Sequence, residues 1–452
     1  MQVTETLAEG LRREFEVKVP ASELDERLTT RLNELQGEVR LKGFRPGKVP
    51  VNHLRKMFGK SAMAEIVQKL ISDVARDTLS ERGERAAQQP DFKLPEEEGE
   101  ADQVLTGKAD LTYTMTYEIL PDVVLGDFKS IKVERPVADV SDEEIETELT
   151  RLAENTRSFS PKDGKAEDGD RMLISYLGKI DGEPFEGGGD DNATVQLGSG
   201  QFIPGFLDQL EGMSAGGEKV ITVTFPEDYG AAHLAGKEAT FDIAVKEVSS
   251  PDPVQIDDEL ATKVGVENLD QLRDAIRQQL QNQYGMATRQ KVKRQILDQL
   301  DELHTFDLPP RMVEQEFDNI WRQVTTELSE SQKTFEDENT TEEAARADYQ
   351  KIAERRVRLG LVLSEIGEKN NIDVTEEEVQ RALSAQLRQF PGREKELVEY
   401  YRSNPDAVAS LRAPIYEEKV IDFLLELVNV TDKTVSREEL MRDDEEETAA
   451  AS

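Results

Sequence analysis

The sequence predicts a multidomain α+β protein with three parts: an N-terminal α+β domain, an antiparallel β domain and an all-α C-terminal region. Three observations predict it. Apolar residues alternate with polar ones near both ends of the first 120 residues, with a helical stripe between. Residues 150–247 are rich in glycine and short apolar runs. Beyond residue 255 the apolar residues recur at helical spacing almost to the end.

In the first part, Phe15, Val17 and Val19 alternate with Glu14, Glu16 and Lys18, the period of a half-buried strand. Ser22 reads as a helix N-cap, and Leu24, Leu28, Leu32 and Leu35 form the apolar stripe that follows. A second helix is expected over about 61–82. Strand alternation returns at Leu111, Tyr113, Met115, Tyr117 and Ile119, closing a domain over 1–120. Residues 121–149 read as an extended linker ending in a helix opened at Ser141. The β domain covers 150–247, and the helical region covers 248–432. There Leu269, Leu272, Ile276 and Leu280 share one face, Pro309-Pro310 opens a helix, and Thr375 with Glu378 forms a capping box. Residues 433–452, ending in an acidic run, are expected to be a disordered tail.

Composition excludes several kinds of chemistry. Of 452 residues, 37% are hydrophobic and 33% charged, which suits several small cores better than one large one. No run reaches the roughly 18 apolar residues of a membrane span, and the N-terminus lacks a signal-peptide pattern. A cytoplasmic protein without a membrane partner is expected. With no cysteine, disulfides, thiolate catalysis and zinc–thiolate sites are ruled out. The three histidines, His53, His233 and His304, are scattered, so no His-based metal site is expected; neither a P-loop-type Gly loop nor a G-x-S-x-G elbow is found, and no cofactor is expected.

A net charge of −38 argues against general nucleic-acid binding, but the charge is uneven. Residues 1–60 carry a balance of +3, and the rest −41. Residues 39–64 hold seven bases (Arg40, Lys42, Arg45, Lys48, Arg55, Lys56 and Lys60) and no acid. Inside this window lies Gly43-Phe44-Arg45-Pro46-Gly47-Lys48-Val49-Pro50. Its glycines permit positive φ and its prolines stiffen the loop. An aromatic flanked by cations suits docking on RNA phosphates and a protein groove together. The same residues also fit an ordinary solvated turn with Phe44 tucked into the core.

This octapeptide resembles the ribosome-docking signature of trigger factors, Gly-Phe-Arg-x-Gly-x-x-Pro, at every fixed position. The resemblance extends over about 1–432. It implies an N-terminal ribosome-binding domain that meets RNA and protein of the large subunit beside the exit tunnel. Gly43, Phe44, Arg45, Gly47, Lys48 and Pro50 would be the docking residues. It further implies an all-α chaperone domain that holds nascent or unfolded polypeptides, and it leaves open a homodimer of the free protein.

In the β domain, Gly169–Gly178, Gln201–Phe206 and Phe225–Gly230 supply aromatic and aliphatic residues with a tyrosine or two. No nucleophile–base pair can be assembled from them. The composition fits a hydrophobic cleft for a peptide segment, and equally plain β-core packing. The stretch 150–247 resembles FKBP-type peptidyl-prolyl isomerases. By that resemblance the pocket residues are Tyr176, Phe185, Phe202, Ile203, Phe206, Tyr229 and Phe241, with the Ile203 N–H and Tyr229 hydroxyl holding substrate carbonyls. Phe206 stands where tryptophan is common, Glu186 where many members carry aspartate, and Ala193 where many carry phenylalanine. His233 falls near a flap-histidine position. A free prolyl isomerase and a non-enzymatic binding scaffold remain alternatives to a ribosome-associated chaperone that isomerises X-Pro bonds.

Overall fold

The computed structural model describes residues 1–41, 44, 48–94, 98–200, 202–227, 229–231 and 233–442. They fall into two compact units, each discontinuous in sequence: 1–135 with 290–433, and 136–289 with 434 onward.

The first unit begins with strands β1 (Gln2–Glu9) and β2 (Arg12–Val19), helices α1 (Ala21–Glu38) and α2 (Val51–Arg82), strand β3 (Asp91–Lys93), helix α3 (Glu98–Leu105) and strand β4 (Leu111–Glu118). The sheet is antiparallel with order β1-β2-β4-β3. Phe15, Val17 and Val19 lie opposite Met115, Tyr113 and Leu111, and all six are buried. The α1 stripe Leu24, Leu28 and Leu32 packs on that face. Ser22 does not cap α1. The helix starts at Ala21, whose N–H donates to the Asp110 carboxylate at 2.9 Å. That backbone bond, joined by Lys18, holds Asp110 below the usual carboxylate range. Helix α2 starts ten residues earlier than the sequence predicts. Pro50 sets its entry, Leu54 is fully buried in its first turn, and Gly83 ends it at φ +63°.

Residues 121–137 are extended, as the linker reading has it, yet they are part of a core. Strand β5 (Lys132–Val137) follows a single 3₁₀ turn, and Ile131 and Val133 are fully buried among the body helices. Gly126 is clamped by buried His304. Its N–H donates to Nε2 at 3.1 Å, while Nδ1–H donates to the Leu300 carbonyl at 2.8 Å. Helix α4 (Asp142–Thr156) opens on a Ser141–Glu144 capping box.

In the second unit, β6 (Phe159–Pro161), β7 (Arg171–Ile180), β8 (Glu183–Gln196), β9 (Glu218–Thr224) and β10 (Glu238–Pro251) form an antiparallel sheet of order β6-β10-β7-β8, with β9 also on β10. Met172, Ile174, Ile221, Phe241 and Ile243 are buried with Phe206 and Leu210 from the connection between β8 and β9.

The helices are α5 (Asp258–Lys263), α6 (Leu269–Leu303), α7 (Pro310–Glu330), α8 (Glu342–Asn370), α9 (Glu376–Gln389), α10 (Glu394–Ser403) and α11 (Pro405–Leu425), followed by β11 (Asn429–Thr434) and α12 (Arg437–Met441). Leu272, Ile276 and Leu280 of α6 pack with α4 and α5 in the second unit. In the first unit, Ile296 and Leu300 of α6 pack with Val362 and Ile366 of α8 and Ile421 and Leu424 of α11. Pro310 is the first residue of α7, and the Thr375–Glu378 capping box opens α9. The expected disordered tail begins too early. β11 runs to Thr434 beside β5, the Val435 N–H bonds the Val137 carbonyl at 3.0 Å, and α12 buries Leu440. Residues 443–452 lie outside the described residues.

Ile131→Ala should empty a fully buried site at a cost of about 2–5 kcal/mol. Hydrogen exchange should accelerate in α6, α8 and α11 while the β-domain amides keep their protection; unchanged exchange in the helices would contradict this packing.

Candidate functional site

The segment 39–50, which carries the residues expected to dock, joins α1 to α2. Val49 anchors its far end: the side chain is fully buried and its carbonyl accepts the Gln36 Nε2–H at 2.6 Å. Phe44 is 38% exposed, so it is not a core residue, and its ring lies 5.1 Å from that of His53. Lys48 and Pro50 are exposed. Gly43, Arg45 and Gly47, with Lys42 and Pro46, lie outside the described residues.

The basic window is less free than its sequence suggests. Arg55 pairs with Asp25 of α1, and Lys60 with Asp102 of α3. Among the described residues, exposed Arg40, Lys48 and Lys56 carry no ion pair. Acids brought in from α1 and α3 thus confine the unpaired positive charge toward the loop end of α2.

In the β domain, all seven residues expected in the pocket line one cleft of about 450 Å³. Phe206 is its floor, 1% exposed, with its ring stacked on Phe202 at 5.1 Å and edge-on to Phe241 at 5.2 Å. Phe185 meets Phe241 edge-on at 6.1 Å. Tyr176 crosses Phe206 at 6.0 Å, and burial, aided by the Asp190 carboxylate and Tyr229, pushes its phenol up. Tyr229 stands at the mouth, 40% exposed. Among the described residues, the Ile203 N–H and the Tyr229 hydroxyl have no hydrogen-bond partner. Rings, one unengaged amide and phenols make an aromatic cleft with donors at its rim, able to bind a peptide carbonyl. No group of three or more potential metal ligands exists among the described residues.

Sequence reasoning missed part of this wall. Phe225 is buried, its ring 4.7 Å from Tyr229 and 6.0 Å from Phe185. Gly178 and Gly188 flank Phe185: a Cβ on either would lie 2.7 Å from its ring. No motif announced these two, because their role is the space they leave. Ala193 sits on β8 opposite Ile174 and does not line the cleft, while Glu186 and His233 are exposed.

An aromatic cleft with rim donors, on a sheet of this order, fits an FKBP-type isomerase domain. Residues 162–246 match the family model for FKBP-type peptidyl-prolyl cis-trans isomerase. Residues 1–152 match that for bacterial trigger factor protein, and 268–426 that for its C-terminus. A trigger factor of Brucella abortus (strain S19) is 59% identical over 440 residues, covering 97% of this chain and 93% of its own. One of Sinorhizobium fredii is 56% identical over 447 residues, covering 99% and 91%. A solved structure, described as showing promiscuous substrate recognition in folding and assembly activities of the trigger factor chaperone, shares the fold at a TM-score of 0.55. It is 21% identical and covers 94% of this chain and 99% of its own. The chain belongs to the trigger factor family: it is a ribosome-associated chaperone with an FKBP-type prolyl isomerase domain. No helix among the described residues is long and apolar enough to cross a membrane.

Gly188→Ala should push Phe185 out of the cleft. Overpacking of about 1–3 kcal/mol corresponds to roughly a tenfold loss of kcat/KM toward an X-Pro tetrapeptide. A protease-coupled isomerisation assay checks it, and parental turnover would show that Phe185 is not held by this contact.

Proposed function

We propose that the loop Gly43–Pro50 docks the chain on the large ribosomal subunit near the exit tunnel, and that the Phe206 cleft catalyses cis–trans isomerisation of X-Pro bonds in the polypeptides it meets there. The observation that carries the second half is the convergence of seven family-assigned residues on one aromatic cleft. For the first half, support comes from an exposed Phe44 and an exposed Lys48 that has no ion pair among the described residues, on a domain whose other bases are partly neutralised. Arg45 would supply a bidentate phosphate contact and Lys48 a point charge. Work at the ribosome places the protein in the cytoplasm.

The chemistry follows from amide resonance. Rotation about an X-Pro bond meets a barrier of about 18–20 kcal/mol because the planar amide has double-bond character. The planar form is charge-separated, and a dry aromatic cavity solvates it less well than water does. A twisted amide has lost that separation. The cavity therefore favours the twisted state over the planar one, the differential binding that catalysis requires. The Ile203 N–H and Tyr229 hydroxyl hold the flanking carbonyls so that rotation occurs inside the cleft. No proton transfer or covalent intermediate is needed.

Alanines at Phe44, Arg45 and Lys48 should abolish ribosome co-sedimentation at moderate salt while prolyl isomerisation stays at the parental rate. Persistent co-sedimentation of the triple variant would refute the docking assignment. Phe206→Ala should do the reverse, cutting isomerisation in a proline-limited refolding assay at least tenfold, on the scale where about 1.4 kcal/mol is one decade, with ribosome binding intact.

A further inference from the structure

A large cavity lies away from both sites, in the N-terminal domain. It is a groove of about 850 Å³ between α2, β3 and α3. Its floor is apolar, with Ile71 and Ala75 of α2 and Val104 of α3 all buried. Ala64, Gln68 and Ser72, one turn apart on α2, are exposed along one wall, and Leu94 is 46% exposed on the other. Among the described residues one charged side chain lines the groove, Arg76, and it is engaged by Asp73 and Asp77 at 3.1 and 3.2 Å. Nothing in the lining calls for an anion, a metal or a cofactor. What it fits is large apolar side chains.

A second, independent feature says what carries them. β3 is the end strand of its sheet, paired only with β4, and among the described residues no strand lies on its outer side. An unpaired edge offers a row of backbone donors and acceptors to an extended chain. Pro90, Phe92 and Leu94 alternate into the groove lining. A strand added along β3 would likewise send every second side chain toward the groove. We infer that this groove is a second polypeptide site, which takes an extended apolar segment of an unfolded chain by adding it to the edge of β3. Main-chain hydrogen bonds give affinity without regard to sequence, and the groove asks only for apolar bulk. That combination suits a chaperone that must hold many different chains. Helix α2 also ties the groove to the docking loop. At ~1.5 Å per residue, positions 64–75 lie roughly 20–36 Å along the helix from Val51. The inference rests on the docking reading only for the source of its clients, and its test uses no ribosomes.

The chain has no cysteine, so a single one can carry a benzophenone in the full-length protein. Ser72→Cys places the photoprobe at the groove, and Asp77→Cys places it on α2 outside the lining. The ligand is a fluorescent 12-residue peptide alternating Leu or Phe with Ser, and a second version N-methylated at alternate residues. Crosslinking to the peptide should be at least fivefold stronger from position 72 than from 77. It should fall about fivefold with the N-methylated peptide, in line with lost hydrogen bonds of about 1 kcal/mol. Adding Phe206→Ala should leave the crosslink unchanged, which separates this site from the isomerase cleft. Equal yields at the two positions, indifference to N-methylation, loss of the crosslink with Phe206→Ala, or a product joined to a second copy of this chain would each overturn the inference.

Discussion

The first unit depends on one closure: Ile131 and Val133 sealed under α6, α8 and α11, with β11 laid beside β5. Each helix contributes an amphipathic stripe that cannot bury itself alone. Removing that apolar area from water is the main favourable term, at roughly 25 cal/mol per Å². The segment that completes the core comes from before the β domain, and the strand that flanks it comes from the chain's last part. The β domain is therefore an insertion in sequence between two halves of one packed body. Charge pairs such as Arg135–Asp432, at 2.7 Å but half-exposed, align these segments and add little energy.

Within the β domain the same logic makes a cavity. Phe206, Phe241 and Phe225 are buried and belong to the core, while Phe185, Phe202 and Tyr176 pack against that core from the cleft side. The cleft surface is thus the exposed flank of a hydrophobic core, and its rigidity is borrowed from the packing behind it. The glycines at 178 and 188 are where that borrowing becomes visible, since the Phe185 ring fills the space their missing side chains leave.

Much of this was legible in the sequence wherever the interaction is local. The alternation in β2 and β4, and the capping boxes Ser141–Glu144 and Thr375–Glu378, depend on residues a few positions apart. The seven cleft residues were legible through family motifs, and the cleft gathers them all. What could not be read depends on distant partners. Asp110 caps α1 from 89 residues away. Asp25 and Asp102 neutralise bases in a window that contains no acid of its own. The first ten residues of α2 carry no clean stripe; Leu54 is fixed there by burial in the domain core. β11 and α12 looked like tail because their polar sequence gains order only from β5 and a buried Leu440.

The pairing of β5 with β11 also sets an order of events when the chain itself is made. Residues 1–118 hold every strand and helix of their own sheet and can collapse as soon as they emerge. The helical body cannot, because the fourteen buried residues of its main cluster, among the described residues, are spread from Val123 to Val428. Contacts so distant in sequence form late, and domains complete from the N-terminus during synthesis reach their native state first. A nascent copy of this chaperone therefore presents a finished N-terminal domain while its own helical body is still an unfolded chain, in the same condition as the polypeptides it serves.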